Sequence, residues 1–322
     1  MNPTSGATIR ADLNFLVEEA FAAEQFLIGA RVMPPMGVDA KSGTYPKLAI
    51  AAGGLLESVA TERSADGSYN EIRRQWTTDT YDCVDRGLEE RVDDAAARDV
   101  ARFFNAESVA SRLTLRNVMQ AHEVRVAAAI MNTTNFGSAT NSDVAYTVAN
   151  KATISFVDDV LSAIRRVKAN ATRPNTIVMS EAVFHRISTA TLVQNFVRGS
   201  IAGNIATPIN AQNLAAAFAP YGISQVLIGD SVQNTAAKGQ AKSTSGIWGN
   251  TYVWVGAVNA GANDPRMGGA GFTLVWNAEG GLFVTESYRD DKRRSNIVRV
   301  RQNTAEKITD ATAGTLIATQ YA

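Results

Sequence analysis

The stretch from residue 38 to residue 81 constrains the fold of this chain more than any other. Residues 43–50 and 69–81 have the composition of β-strands, and the second is rich in Tyr, Ile, Trp and Thr. The residues between them are small or polar, with few large apolar side chains. A two-stranded ribbon is marginally stable alone in water, and this one lacks the apolar surface for its own core. The pattern therefore indicates either an extended hairpin that another chain completes or a floppy insertion loop.

The hairpin is also long. Residues 38–57, fully extended, span roughly 60 Å at ~3.3 Å per residue, which is enough to reach beyond a single subunit. The candidate contact residues of the hairpin are the large and charged side chains at its second strand. They are Tyr69, Ile72, Arg73, Arg74 and Trp76.

Helical periodicity lies on both sides of the hairpin. Residues 12–28 have an apolar stripe at helical spacing, and we expect Asp12 at the start of this helix and Gly29 at its end. Residues 106–131 have a second, longer helical pattern. A helix of that length spans roughly 39 Å, which is suited to a structural spine.

The remainder of the chain mixes both kinds of element. Helices are predicted over residues 156–169, 181–187 and 213–218. Strands are predicted over residues 173–180, 225–228, 246–258, 272–276, 282–287 and 297–302. Helices and strands do not alternate regularly, so the sequence predicts an α+β fold rather than a doubly wound sheet.

Two stretches carry opposite charge. Residues 82–99 are acidic, and Asp93 and Asp94 stand where a helix begins, a position that carboxylates favour. Residues 289–301 are basic and include Arg289, Arg293 and Arg294. One interpretation of the basic stretch is a nucleic-acid patch, although aromatic residues are nearly absent from it. Pairing with the acidic stretch, either within a subunit or between subunits, explains it as well, because complementary charge sets register and orientation. These five residues complete the set of candidate assembly contacts.

The sequence offers no candidate active site. Lys+Arg and Asp+Glu balance at 31 each, whereas a protein that grips nucleic acid non-specifically usually carries a basic excess. Cys83 is the only cysteine, and His122 and His185 lack metal-ligand spacing. Phosphate-binding and dinucleotide fingerprints are missing, as are a signal peptide and any apolar run long enough to cross a bilayer. We therefore expect no catalytic residue, no metal, no cofactor and no membrane association.

Four segments resemble, in order, the major capsid protein family of tailed bacteriophages, which has the Hong Kong 97 fold. They are Trp76-Thr-Thr-Asp-Thr-Tyr-Asp-Cys-Val-Asp-Arg-Gly-Leu-Glu-Glu-Arg-Val-Asp-Asp, Arg173-Pro-Asn-Thr-Ile-Val-Met-Ser-Glu-Ala-Val-Phe, Ile247-Trp-Gly-Asn-Thr-Tyr-Val-Trp-Val-Gly and Tyr288-Arg-Asp-Asp-Lys-Arg-Arg-Ser-Asn-Ile-Val-Arg-Val. No single segment is diagnostic, and the specificity lies in their order along nearly the whole chain.

The resemblance implies an N-terminal arm, an extended β-hairpin loop, a peripheral domain with a long spine helix, and an axial domain. The implied bounds are 1–38 for the arm, 39–80 for the loop, 81–150 and 270–322 for the peripheral domain, and 151–269 for the axial domain. It also implies hexamers and pentamers that form an icosahedral shell around double-stranded DNA, without sequence-specific binding. The implied location is the virion, after assembly in the host cytoplasm. A portal and a separate scaffolding protein are the implied partners, with room for a decoration protein.

The sequence departs from the family in two respects. A fused N-terminal scaffolding region is missing, which fits either a separate scaffold or a trimmed precursor. Lys41 and Lys47 lie in the loop region where some relatives form a crosslink, but no matching motif accompanies them, so no crosslink is expected. Two alternatives remain open: the shell of an encapsulin-type protein nanocompartment, and a cytosolic α+β enzyme whose site the sequence does not reveal.

Overall fold

The structure is a computed structural model. It describes residues 8–9, 27–48, 61–63, 67–71, 76–102, 104–137, 139–200, 209–237, 239–261 and 268–321. The α-helices of these residues are α1 (Gly29–Val32), α2 (Asp94–Val100), α3 (Ala106–Ile130), α4 (Thr133–Phe136), α5 (Phe156–Lys168), α6 (Glu181–Ser188), α7 (Thr191–Ser200) and α8 (Ala211–Phe218).

The β-strands of the same residues form two large sheets and two ribbons. They are β1 (Thr8–Ile9), β2 (Pro35–Val38), β3 (Ser42–Leu48), β4 (Trp76–Asp82), β5 (Val84–Asp93), β6 (Thr140–Asn141), β7 (Thr176–Ser180), β8 (Gln225–Gly229), β9 (Val232–Asn234), β10 (Thr244–Gly246), β11 (Tyr252–Gly256), β12 (Gly271–Trp276), β13 (Val284–Asp290), β14 (Ser295–Ile308) and β15 (Gly314–Ala318).

The first sheet, which we call the peripheral sheet, is built around β14. On one side β14 pairs antiparallel with β5, from Ser295 opposite Asp93 to Thr304 opposite Val84. On its other side it pairs with β13 and then with β12, which act as one interrupted strand. β2 adds parallel to β12, and β1 adds to β13. The sheet therefore unites segments from the beginning, the first third and the end of the described chain.

The long helix α3, hereafter the spine helix, lies along β14. It begins at a capped N-terminus, where the side-chain oxygen of Asn105 accepts from the backbone N–H groups of Glu107 and Ser108. Its buried stripe includes Leu115 and Val118, which pack with Val300 of β14. A helix of 25 residues needs such a partner, because tertiary packing supplies most of the stability of a helix in a protein. The predicted spine over 106–131 is confirmed.

The second sheet, the axial sheet, has the order β6-β15-β11-β7-β8. Helices α5 to α8 cover it and share its apolar core. Phe156 stands edge-to-face with both Tyr146 and Phe218 at the centre of this core. Every residue of β7 is buried, which explains why the sequence shows it as a continuous apolar run rather than an alternating one.

A third cluster joins the two sheets to the segment 27–38, which we call the arm root. We call the axial sheet, with its covering helices and connecting turns, the axial part. Ile28 and Val32 of the arm root pack with Val126 of the spine helix and with Trp248 and Trp254 of the axial part. All five side chains are buried. The arm root, the spine helix and the axial sheet therefore share one core.

Several predicted elements differ from the structure. Gly29 begins a helix instead of ending one, and the predicted helix over 12–28 lies outside the described residues except at its last two positions. The predicted strand over 246–258 is two strands, β10 and β11, separated by a turn. Within the described residues β4 begins at Trp76, and residues 69–71 of the predicted strand over 69–81 lie in no strand.

The longer elements that were not predicted are β5, α7 and β15. The short elements α1, α4, β1, β2, β6 and β9 were not predicted either. β5 is a strand of ten residues in the acidic stretch, where charged side chains hide the alternation that marks a strand. β14 is longer than the predicted 297–302 because both of its edges are paired.

Candidate assembly surface

The hairpin predicted over residues 38–81 is a two-stranded ribbon in the structure. β3 and β4 pair antiparallel from Ser42 opposite Asp82 to Leu48 opposite Trp76, and within the described residues neither strand joins another sheet. Most of the ribbon's threonines are exposed. Its one buried side chain in the part with described side chains is Tyr45, which donates to Asp79 at 3.2 Å. The described part of the ribbon therefore has almost no core of its own.

The base of the ribbon is anchored firmly. The backbone N–H of Cys83 donates to the carbonyl of Lys41 at 2.8 Å. The Cys83 side chain is buried with Phe272, Leu274 and Ala305 on the face of the peripheral sheet away from the spine helix. Burial raises the pKa of the Cys83 thiol, so it is uncharged at neutral pH. The ribbon thus leaves the subunit from a fixed point.

Charge pairing within the subunit joins the acidic and basic stretches. Arg299 of β14 lies between Glu89 of β5 and Glu286 of β13 in the strand register. Its Nε donates to Glu89 Oε1 at 2.6 Å, and its Nη1 is 3.6 Å from Glu286 Oε2. Arg301 donates to the same Glu286 at 2.9 Å. The complementarity expected from the sequence is therefore satisfied, in large part, inside one chain.

The predicted contact residues Asp93, Asp94 and Arg289 also take part in this internal pairing. Asp93 is the N-cap of α2, and its carboxylate accepts from the N–H groups of Ala95 and Ala96. Arg289 makes a bidentate pair with Asp94, at 2.6 and 2.7 Å. The hydrogen bond from Arg289 lowers the pKa of the Asp94 carboxyl. These three residues fix α2 to the end of the peripheral sheet.

Arg293 and Arg294 lie in the turn between β13 and β14, which we call the charged turn. Both side chains are exposed. Arg293 Nε is 3.6 Å from Asp290 Oδ2, and the backbone of Arg294 has a φ of 48°. The charged turn stands at one end of β5 and the base of the ribbon at the other. Ten strand residues separate them, roughly 30 Å at ~3.3 Å per residue.

The remaining predicted contacts belong to the ribbon region. Tyr69 is 75% exposed, and the Arg63 guanidinium lies over its ring at 5.2 Å. Trp76 begins β4. Ile72, Arg73 and Arg74 lie outside the described residues, so their predicted role stays a prediction.

The two histidines have packing and surface positions. His122 is buried in the spine helix, with Nε2 3.3 Å from Thr273 Oγ1 and 3.9 Å from a Glu306 oxygen. Burial lowers the pKa of His122 to about 4, so it is neutral at pH 7. His185 is exposed, 3.3 Å from Glu181 one helical turn earlier. In the described part of the chain, no cluster of three or more His, Cys, Asp or Glu side chains could hold a metal.

Sequence reasoning missed one buried carboxylate, that of Glu123 in the spine helix. It accepts from the N–H groups of Ile28 and Gly29 and from the indole of Trp248, at 3.0, 2.6 and 2.6 Å. The signal was present in the sequence, because Glu123 stands one helical turn after the buried Met119 and interrupts an apolar row.

No protein-family model matches the sequence, and no curated protein matches it significantly. Solved structures do. A phage-related protein from Bordetella bronchiseptica RB50 matches with a TM-score of 0.68 at 20% identity, over 98% of both chains. The capsid protein of cyanophage P-SCSP1u matches with a TM-score of 0.56 at 10% identity, over 90% of this chain and 86% of its own. The chain has the Hong Kong 97 capsid fold.

A virus-like particle protein from Pyrococcus furiosus matches with a TM-score of 0.55 at 9% identity, over 95% of this chain and 97% of its own. The predicted α+β class and the Hong Kong 97 fold are both confirmed. In the described part of this fold no helix is long and apolar enough to cross a membrane.

Proposed function

We propose that this chain is the major capsid protein of a tailed bacteriophage. Copies assemble into hexamers and pentamers and then into an icosahedral shell around double-stranded DNA. The observation that carries the proposal is a self-paired ribbon in a chain that matches the capsid protein of cyanophage P-SCSP1u over 90% of its length. The role is structural, and we assign the chain no enzymatic activity.

The physical argument concerns the stability of the ribbon. Two strands without a third partner or a core are marginal in water. Within the described residues β3 and β4 pair with no other strand, and their exposed threonines contribute little apolar burial. A second copy of the chain, lying against the ribbon, supplies the missing contacts. Self-association therefore provides the contacts that stabilise the ribbon.

Exposed apolar side chains on the peripheral part support the same proposal. Leu88 of β5 is 46% exposed, and Val109 and Leu113, one turn apart on the spine helix, are 37% and 52% exposed. Large apolar side chains grouped at a surface mark interaction sites more often than scattered ones do. We propose that neighbouring copies cover them in the shell.

The proposal extends to partners, domains and location. A portal and a separate scaffolding protein are the proposed partners during assembly, and a decoration protein is compatible with the finished shell. The proposed division is arm 1–38, loop 39–80, peripheral domain 81–150 with 270–322, and axial domain 151–269. The proposed location is the virion, after assembly in the host cytoplasm.

A second function, the shell of an encapsulin-type protein nanocompartment, is favoured by one observation, the similarity to the Pyrococcus furiosus virus-like particle protein. It shares the shell-building role and differs in the contents of the shell. The two are separated by what is inside particles recovered from the native source: double-stranded DNA for a capsid, a protein cargo for a nanocompartment.

Negative-stain electron microscopy of the purified full chain tests the proposed function. We expect closed shells, or uniform rings of five and six subunits, across a range of salt and protein concentrations. Analytical ultracentrifugation of the same samples gives the mass of the species. A chain that stays monomeric under all of these conditions contradicts the proposal.

A further inference from the structure

Glu123 has an unusual position for a carboxylate. It is 1% exposed, and its two oxygens accept three hydrogen bonds from groups on two other segments. Two donors are backbone N–H groups of the arm root, at Ile28 and Gly29. The third is the indole N–H of Trp248, in the turn between β10 and β11. One side chain of the spine helix thus holds the arm root and the axial part together.

All three donors are neutral. Within the described residues Glu123 makes no ion pair, and the nearby charged group that acts on it is another carboxylate, Asp230. Burying an anion without a cation is costly unless hydrogen bonds satisfy it. The burial of Glu123 is therefore compensated only while the arm root and Trp248 stay in place. Movement of either segment leaves an unsatisfied buried carboxylate.

Two glycines near the carboxylate have no space for a larger side chain. A Cβ on Gly29 would lie 2.5 Å from Glu123 Oε2, and a Cβ on Gly229 would lie 2.1 Å from the Trp248 ring. Both distances are closer than real Cβ contacts. Glycine at these two positions allows the arm root to reach Glu123 and allows the Trp248 ring to pack closely against the end of β8.

We propose that Glu123 is a positioning residue for shell assembly, fixing the arm root and the axial part at one angle to the spine helix. The assembly consequence rests on the proposed function, whereas the joint itself does not. A subunit that must fit into rings of five and six copies needs a defined angle between its parts. Three directional hydrogen bonds to one carboxylate set that angle more sharply than the apolar contacts around them.

The test compares Glu123→Gln with a matched control, Asp159→Asn. Gln keeps the size of the side chain but must turn its NH₂ group toward one of the three donors. Asp159 is also a buried carboxylate held by neutral donors, Tyr146 at 2.8 Å and Ser155 at 3.1 Å, but it lies inside the axial core and joins no separate parts. Amide hydrogen exchange is measured on the unassembled protein, and particle diameters are measured by electron microscopy.

We expect Glu123→Gln to speed amide exchange at residues 28–33 at least tenfold and to broaden or shift the distribution of particle diameters. Asp159→Asn should lower thermal stability but leave residues 28–33 and particle diameters as in the wild type. If Glu123→Gln does not fold, Gly29→Ala disturbs the same joint from the other side, and the same results are expected.

Unchanged exchange at residues 28–33 in both joint variants overturns the proposal. Equal effects of Glu123→Gln and Asp159→Asn on particle diameter also overturn it, since they reduce Glu123 to a general stabilising residue. A wild-type chain that forms no particles contradicts the proposed function instead. In that case the exchange data still decide whether the joint exists.

Discussion

His122 and Glu123 are consecutive, buried residues of the spine helix, and burial shifts their pKa values in opposite directions. Burial penalises the charged form of each, so the pKa of the histidine falls and that of the glutamate rises. Their hydrogen bonds also lead toward the arm root, because Thr273, the partner of His122, donates to the Met33 carbonyl at 3.0 Å. Two neighbouring side chains thus hold the same segment.

His122 predicts a pH dependence of stability. Its pKa is about 4 in the folded protein against an ordinary value of 6.5, so the unfolded chain binds the proton first as pH falls. Stability from this residue is present above pH 6.5 and is lost between pH 6.5 and 4. The loss is roughly 3–4 kcal/mol, because the two pKa values differ by about 2.5 and each unit of pKa corresponds to ~1.4 kcal/mol.

The measurement is denaturant unfolding of the wild type and His122→Gln between pH 4 and pH 7. We expect the free energy of unfolding of the wild type to fall toward that of His122→Gln by this amount as pH decreases from 7 to 4. His185→Gln, at an exposed histidine, serves as the control and should track the wild type. Parallel curves for the wild type and His122→Gln would show that the buried imidazole does not have the lowered pKa.

The partners of individual side chains were the hardest feature to predict from the sequence. Asp93 and Asp94 were expected at a helix start, and Asp93 is indeed the cap, because capping depends on residues adjacent in the chain. The partner of Asp94, Arg289, could not be chosen from the sequence, since pairing within and between subunits was equally compatible with the charges. Glu123 was missed because its donors come from segments distant in the chain.

At the scale of elements, Trp248 explains why the predicted strand over 246–258 is interrupted. Its side chain turns back over the end of β8, where Gly229 leaves room for the indole ring. The two flanking strands then join different partners, β10 pairing with β9 and β11 with β7 and β15. The composition of this stretch could not reveal that the chain changes partners.

Gly229→Ala tests this close contact. The new methyl group would lie 2.1 Å from the Trp248 ring, so the indole or the strand must shift. We expect a loss of about 1–3 kcal/mol in the free energy of unfolding, the usual cost of overpacking. A shift in tryptophan fluorescence should accompany it.

Gly249→Ala is the matched control, because a Cβ there has no atom within 4 Å and the backbone angle is not left-handed. Its effect should stay within about 0.5 kcal/mol, as for an ordinary surface change. Equal stability of the two variants would mean that the indole adjusts without cost.

Elements whose sequences carry a capping residue or an apolar stripe were predicted well. Elements that depend on pairing with a segment distant in the chain were not. The spine helix has a capping residue and a buried stripe, both readable from the sequence. β5 has neither, because it is a charged strand paired on only one side within the described residues. Its conformation depends on β14, which comes far later in the chain.

At the scale of the whole molecule, the charged turn predicts an assembly defect without a folding defect. Arg293 and Arg294 are exposed, and reversing their charge should leave the interior of the subunit intact. We expect Arg293→Glu/Arg294→Glu to cut the yield of shells severalfold, because like charges meet at the interface between copies. Thermal unfolding of the unassembled protein should change by only a few degrees.

Arg293→Lys/Arg294→Lys retains the charge and should assemble close to the wild-type yield. Shell yield by sedimentation and micrographs gives the comparison. A normal yield with both charges reversed would remove the charged turn from the interface.

The fold as a whole was predictable because several segments resemble one family in the same order, which no single element could indicate. The strand composition of residues 43–50 and 69–81 indicated a hairpin, but its low apolar content was equally compatible with a floppy insertion loop, so composition alone did not decide between them. The intramolecular share of the charge pairing was not predictable, because complementary stretches specify attraction and not which copy supplies the partner.

The late position of β14 and β15 has a consequence for synthesis. β14 provides the pairing edge for β5, β12 and β13, and β15 lies between β6 and β11, so neither sheet can close before residues 295–318 exist. Contacts between segments so distant in the chain form slowly. A polypeptide released early from the ribosome would lack the strand that organises the peripheral sheet. Under the proposed function, such a fragment would be excluded from the shell. Both sheets therefore depend on translation through β14 and β15.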